Sequence, residues 1–368
     1  MEKISSSAGK NKLSCPVNSH NEWDPLEEVI VGNVEGGVLP EWDIINRHTV
    51  PKGEWDKYWK TPGGRPYAKE AVNAARKELE EFIHILKSEG VIVRRVETAD
   101  YRAGFSTPKW QVSSGFCGAN PRDLFLVIGN EIIEAPMADR ARYFESWAYR
   151  SLLKEYSRAG AKWVAAPKPQ LTDDQYDMNY TVPDEGQEMR YAVREFEPTF
   201  DAADFVRCGR DIFGQKSHVT NQMGIDWLAQ YLGDNYHIHI IKNRDIHAIH
   251  IDTTFMPLAP GKVLISPEYI DPETLPPILK TWDILTAPEP VPYKNQPGIV
   301  SNWISINTFM LDEKRIIVEK RQEPLIKALK AWGFDPIPCP FENYYPFLGG
   351  FHCSTLDIRR KGELQSYF

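Results

Sequence analysis

The sequence predicts an α/β fold made of five repeats of one unit, arranged as a five-bladed α/β propeller. Three observations carry this prediction. Two apolar runs around a polar turn recur four times along the 368 residues. Each copy is followed by a helical stretch and then another short apolar run. The N-terminal part supplies a fifth copy. Units recurring at intervals of roughly 50 to 80 residues suit a closed ring of blades. The competing arrangement is an open α/β sheet with irregular insertions. No composition shift or long linker divides the chain, so residues 21–368 read as one domain behind a flexible tail, residues 1–20.

The elements follow in order. In the first unit EEVIVG is the strand, AVNAARKELEEFIHILKSEG the helix and VIVRRV the closing strand. That helix carries Val72, Ala75, Leu79, Phe82, Ile83 and Leu86 on one stripe and stops at Gly90. The first hairpin, DLFLVIGNEIIE (123–134), turns at Gly129-Asn130, and ARYFESWAYRSLLKEYSRAG and AKWVAAP complete its unit. DFVRCGRDIF (204–213) turns at Gly209-Arg210 and leads to the helix NQMGIDWLAQYLG and the strand HIHII. TFMPLAPGKVLIS (254–266) turns at Pro260-Gly261 and leads to PETLPPILKTW, expected to be helical, and DILTAP. NTFMLDEKRIIVE (307–319) turns at Asp312-Glu313-Lys314 and leads to EPLIKALKAWG and FDPIPCP.

Composition narrows the function. With 42% hydrophobic and 26% charged residues the chain is an ordinary globular protein. A net charge of −8 leaves no basic face for nucleic acid. No run of 18 apolar residues is present, so no membrane span is expected. The first twenty residues lack the apolar core of a signal peptide. The five cysteines, Cys15, Cys117, Cys208, Cys339 and Cys353, are odd in number and widely spaced, and read as reduced thiols of a cytoplasmic protein. His237 and His239 share one face of a strand, yet strand histidines are more often solvated or hydrogen-bonded than metal-bound, and no CxxC pair exists.

Chemistry-bearing residues fall just before the hairpins. Asp123 opens the first, Asp201 and Asp204 the second, and His250 and Asp252 the third. Ser301 stands before the fourth, and Cys353 precedes the last strand, TLDI. In a ring of equivalent units, equivalent positions meet at one end of the axis. Each residue also has an ordinary reading: aspartates cap turns, and a lone cysteine is usually a small buried hydrophobe. Several carboxylates around a thiol disfavour the thiolate unless the substrate brings positive charge. A guanidinium supplies that charge and matches carboxylates in forked hydrogen bonds. The chemistry expected is covalent catalysis by the thiol, with His250 as acid and base.

NEWDPLEEVIVG, PRDLFLVIGNEIIEAPM, FEPTFDAADFVRCGRDIF, HIDTTF, MLDEKR and LGGFHCSTLDIRRKGELQSY closely resemble motifs of the arginine-dependent amidinotransferases, from about Asn21 to the C-terminus. Glycine amidinotransferase and the inosamine-phosphate amidinotransferases belong to that family. The resemblance implies the five-bladed pentein fold, shared with arginine deiminases. It also implies roles: Cys353 as nucleophile, His250 as general acid and base, and Asp201 as the carboxylate orienting it. By the same resemblance Asp123 and Asp252 bind the guanidinium, and Ser301 belongs to the substrate pocket. Arginine would give its amidino group to Cys353, ornithine would leave, and a primary amine would take the group. That amine would be a natural-product pathway amine or glycine. No cofactor and no metal are implied, and a homodimer is. Glycine amidinotransferases carry an arginine near Tyr269 that receives a carboxylate; this chain has none there, and Val300 stands beside Ser301. Two other readings are an arginine deiminase-like hydrolase giving citrulline and ammonia, and a catalytically silent binding protein.

Overall fold

The computed structural model describes residues 15–54, 63–184, 186–293 and 300–368. Five separate three-stranded sheets share one order: a first strand antiparallel to a second, and the second parallel to a third. Four hairpins supply the first two strands: Phe125–Ile128 with Glu131–Glu134, Phe205–Cys208 with Asp211–Gly214, Phe255–Ala259 with Lys262–Ile265, and Phe309–Met310 with Arg315–Glu319. Their parallel partners are Lys162–Ala165, His237–Ile240, Asp283–Thr286 and Asp335–Cys339. The hairpin strands are almost wholly buried, which is why they read as unbroken apolar runs such as FLVI. The third strands lie at the sheet edge and are half exposed, and Asp335–Cys339 there tolerates Pro336 and Pro338.

The fifth sheet joins the two ends of the described chain. Leu26–Val31 pairs parallel with Ile92–Arg95 and antiparallel with Thr355–Arg360. The C-terminal strand therefore takes the place that a hairpin strand fills in the other sheets. The tail expected through residue 20 is already docked within that stretch. Val17 and Ser19 are buried, Asn18 donates to the Ile358 carbonyl at 2.9 Å, and Ser19 exchanges backbone hydrogen bonds with Gly129. Residues 1–14 lie outside the described residues.

Parallel pairing needs a crossover. Helices α1 (Lys69–Ser88), α2 (Arg150–Arg158), α3 (Gln222–Leu232) and α4 (Glu323–Ala331) provide four. α1 buries Ala75, Leu79, Phe82, Ile83 and Leu86, five of the six stripe residues, against the sheets; Val72 is half-buried. Phe82 sits edge-on to Phe309, Phe341 and Phe351, tying α1 to the segment that carries Cys353. The third unit corrects the sequence reading. Its crossover is two 3-10 turns, Pro272–Thr274 and Pro277–Thr281, not an α-helix. Pro272, Pro276 and Pro277 remove three backbone donors in six residues, so continuous i to i−4 bonding cannot form.

A short helical turn precedes the first strand of each hairpin: Pro121–Leu124, Ala202–Asp204, Ile251–Thr253 and Asn302–Ile306. Residues 351–354 make the corresponding turn before Thr355–Arg360. Neighbouring turns pack on one another in chain order, and Pro121–Leu124 also packs on Thr355–Arg360.

Candidate active site

These turns bring the singled-out residues together. A cavity of about 240 Å³ is lined by Asp123, His250, Ser301 and Cys353. Asp201 and Asp252 stand directly behind it, fully buried. The donor atoms of Asp123, His250 and Cys353 lie within 4.8 Å of one another.

The paired glycines explain how Cys353 is presented. A Cβ on Gly350 would meet Asn307 Oδ1 at 2.6 Å, and one on Gly349 would meet Asn120 Oδ1 at 2.2 Å. Both glycines are needed for close approach rather than for a left-handed backbone. The approach lets Asn307 grip the turn: its Oδ1 accepts from the backbone N–H of His352 (2.9 Å) and Cys353 (3.1 Å). Its Nδ2 lies 3.2 Å from the Cys353 sulfur and donates to it. Asn120 Nδ2 donates to the Phe347 carbonyl at 2.8 Å, holding the chain just before the glycines.

His250 is held in a backbone conformation rare for a non-glycine residue, φ +84°. Asp204 keeps it there, since its Oδ1 accepts the His250 N–H at 3.1 Å while Gln215, Ser217 and Thr220 donate to the same carboxylate. Asp204, one of the two aspartates before the second hairpin, is therefore a saturated scaffold group. The imidazole Nε2 lies 3.0 Å from Asp201 Oδ2, and Nδ1 lies 3.6 Å from Asp123 Oδ1. Asp123 Oδ2 is 2.9 Å from Arg142 Nη2, a charge contact without hydrogen-bond alignment. Arg142 gives its aligned bonds to Glu145, at 2.8 and 2.9 Å.

Among the described residues, four buried carboxylate oxygens around this centre have no hydrogen-bond partner: both of Asp123, Oδ1 of Asp201 and Oδ1 of Asp252. Buried acceptors are almost always satisfied, so such a cluster is suited to a ligand rich in donors. Burial pushes the Cys353 thiol up to about 12, Asp252 adds to that, and His250 opposes it. Burial would lower the His250 imidazole, but Asp123, Asp201 and Cys353 together raise it well above its ordinary value. Asp123 is raised by burial against the pull of His250 and Arg142.

Ser301 occupies the outer part of the cavity. Its hydroxyl caps Asn302–Ile306 by accepting from Trp303 N–H at 3.2 Å, and lies 3.2 Å from the Tyr269 hydroxyl. Tyr269 and Val300 line the same wall. His239 pairs with Asp211 at 2.7 Å on its strand, away from this centre. The sequence alone did not single out Asn307, Glu22 or His352. Asn307 closes the turn before the fourth hairpin, the position rule that selected the other residues, and that was the available signal.

A thiol, an imidazole and carboxylates gathered around one cavity of an α/β fold form a candidate enzyme active site. The chain belongs to the amidinotransferase family. It is 48% identical over 355 residues to the L-arginine:L-lysine amidinotransferase of Pseudomonas savastanoi pv. phaseolicola, covering 96% of this chain and 97% of that one. It is 44% identical over 379 residues to the mitochondrial glycine amidinotransferase of Xenopus tropicalis, covering 100% of this chain and 87% of the relative. Among solved structures, SxtG, an amidinotransferase of the saxitoxin pathway from Microseira wollei, superposes with a TM-score of 0.94 at 65% identity, covering 96% and 100% of the two chains. The inosamine-phosphate amidinotransferase StrB1 of Streptomyces griseus gives 0.87 at 36% identity, covering 95% and 99%. The DDAH of Pseudomonas aeruginosa, 12% identical, gives 0.58 and shares the fold. No family model matches the chain. Among the described residues no helix is long and apolar enough to cross a membrane.

Proposed function

We propose that the protein moves the amidino group of L-arginine to a primary amine through a covalent intermediate on Cys353. The observation that carries this reading is the set of buried carboxylate oxygens around one thiol that lack hydrogen bonds among the described residues. A guanidinium is planar, permanently charged and made only of donors, so Asp123 and Asp252 suit its N–H edges. Its charge also offsets what burial and Asp252 do to the thiol, so the substrate favours the thiolate that attacks it.

Binding of the guanidinium releases the Cys353 proton to solvent, and the resulting thiolate bonds to the guanidinium carbon while His250 keeps its own proton. His250 protonates the departing side-chain nitrogen, the carbon–nitrogen bond breaks, and ornithine leaves. An amidino-thioether remains on Cys353. The acceptor amine gives a proton to His250 and attacks the same carbon, and the thiolate is expelled. Asp201 holds the imidazole through Nε2. In place of a carboxylate-binding arginine near residue 269, the hydroxyls of Tyr269 and Ser301 offer hydrogen bonds to the outer end of a substrate. The acceptor is a natural-product pathway amine or glycine, and the relatives' names support an amine over water.

The same reading takes the five sheets as blades of a propeller whose equivalent turns form the mouth. It takes residues 21–368 as one domain, in a cytoplasmic homodimer. Incubation with arginine alone, then with arginine and a panel of amines, tests the chemistry by mass spectrometry of protein and small molecules. Ornithine and an amidino adduct on Cys353, turning over only with an amine, is the expected result. Citrulline and ammonia from arginine alone would establish the hydrolase instead.

A further inference from the structure

The NEWDP segment places Glu22 in the interior beside the site. Arg207 fixes that carboxylate from two sides, Nε to Oε1 at 2.8 Å and Nη2 to Oε2 at 2.7 Å. Glu22 Oε2 lies 3.1 Å from His352 Nε2, and His352 Nδ1 lies 2.7 Å from Asp252 Oδ2. The same Asp252 oxygen is 3.5 Å from the Cys353 sulfur, while its Oδ1 is unpartnered. All five side chains are buried. An ionised carboxylate only accepts hydrogen bonds, so both contacts form together when each ring nitrogen of His352 donates.

We propose that His352 is a positioning residue, anchored by Glu22, that keeps Asp252 a carboxylate turned toward the substrate guanidinium. The proposal rests on the functional reading above. The groups facing Asp252 are His352, His250, Arg122, Cys353 and Asp123. Burial pushes the Asp252 carboxyl up, and the His352 hydrogen bond leads the contacts that bring it below its ordinary range. Without that bond the Asp252 carboxyl moves upward, and it takes up a proton at a higher pH than with His352 in place. A protonated carboxyl no longer attracts a guanidinium, so arginine binding is lost first on the acid side.

The test is calorimetric binding of L-arginine to the full chain, from about pH 5 to pH 8. A Cys353→Ser background stops the reaction, and His352 is kept or replaced by Asn or Gln. The Asn amide nitrogen sits near the Nδ1 position and keeps a donor for Asp252; the Gln amide reaches toward Glu22 instead. With His352 or Asn, affinity stays level across the range. With Gln it falls about tenfold or more at the acid end and recovers as the pH rises. Superimposable profiles for all three overturn the proposal, as does an equal loss in Asn and Gln, which marks packing alone. If the Gln protein does not fold, Glu22→Gln is read the same way, acid-side loss supporting and a level profile overturning. No arginine binding with His352 intact would overturn the functional reading, and this inference with it.

Discussion

Cys353 illustrates how one carboxylate acts in opposite senses on reactivity and on binding. Asp252, 3.5 Å from the sulfur, raises the thiol and would bind the guanidinium that lowers it again. Asp252→Asn separates the two effects. Without substrate, alkylation of Cys353 by iodoacetamide at neutral pH should speed up about tenfold, because a repelling charge has gone. Amidino transfer by the same variant should fall by a factor of about 100 or more, because the guanidinium has lost a partner. Peptide mass spectrometry and steady-state rates read the two. If both rates fall together, Asp252 holds the turn in place instead of tuning the sulfur.

At the scale of elements, five short turns carry the site, and their packing decides where the sulfur sits. Gly350→Ala puts a methyl 2.6 Å from Asn307 Oδ1 and must displace the amide that holds Cys353. The variant should lose activity by about 10- to 100-fold. Its folding stability should drop by no more than about 1–3 kcal/mol, as for a crowded core. Full activity would show that Asn307 can move without carrying the thiol. This is also where sequence reading succeeded and stopped. The hairpins were legible because apolar runs flank Gly129, Gly209 and Gly261, each at positive φ. The positional rule found Cys353, His250 and the aspartates because their turns recur. The third crossover was misread because its apolar pattern outweighed the prolines. Asn307 stood at a position the rule covers but reads as a common turn residue, and Glu22 was invisible because it meets His352 across 330 positions. The pairing of Leu26–Val31 with Thr355–Arg360 was hidden for the same reason.

That terminal pairing is locked by charges that water does not reach, and this makes whole-molecule stability a matter of pH. Asp357 receives Arg122 (2.6 Å), Arg207 (2.9 Å) and Arg360 (2.6 Å), linking three parts of the chain distant in sequence. Asp357→Asn leaves three buried guanidiniums without their shared anion and should cost about 3–5 kcal/mol. Arg207 and its companions hold Asp357 and Glu22 far below the ordinary carboxylate range, despite burial. Their contribution is complete above the unfolded values and is lost as the pH falls through the folded ones, so stability rises with pH through the strongly acid range. Burial pushes other carboxyls the opposite way, Asp139 and Glu319 to about 7 and Asp204 to about 6. Between about pH 4 and those values the folded chain holds protons that the unfolded chain has released, so stability falls as the pH rises. His250, raised on folding, extends the fall above its ordinary value. His218, lowered by burial to about 4, and His20 and His48, also lowered by burial, oppose it between their folded and ordinary values, but the raised carboxyls, Glu145 at about 7 and Asp123 among them, outnumber them. The balance places the melting maximum on the acid side of neutral. The melting temperature near pH 5 should exceed that near pH 8 by a few degrees, and Asp139→Asn should flatten that slope. Scanning calorimetry across the range checks both, and a maximum above pH 7 would show that these carboxyls ionise within the fold.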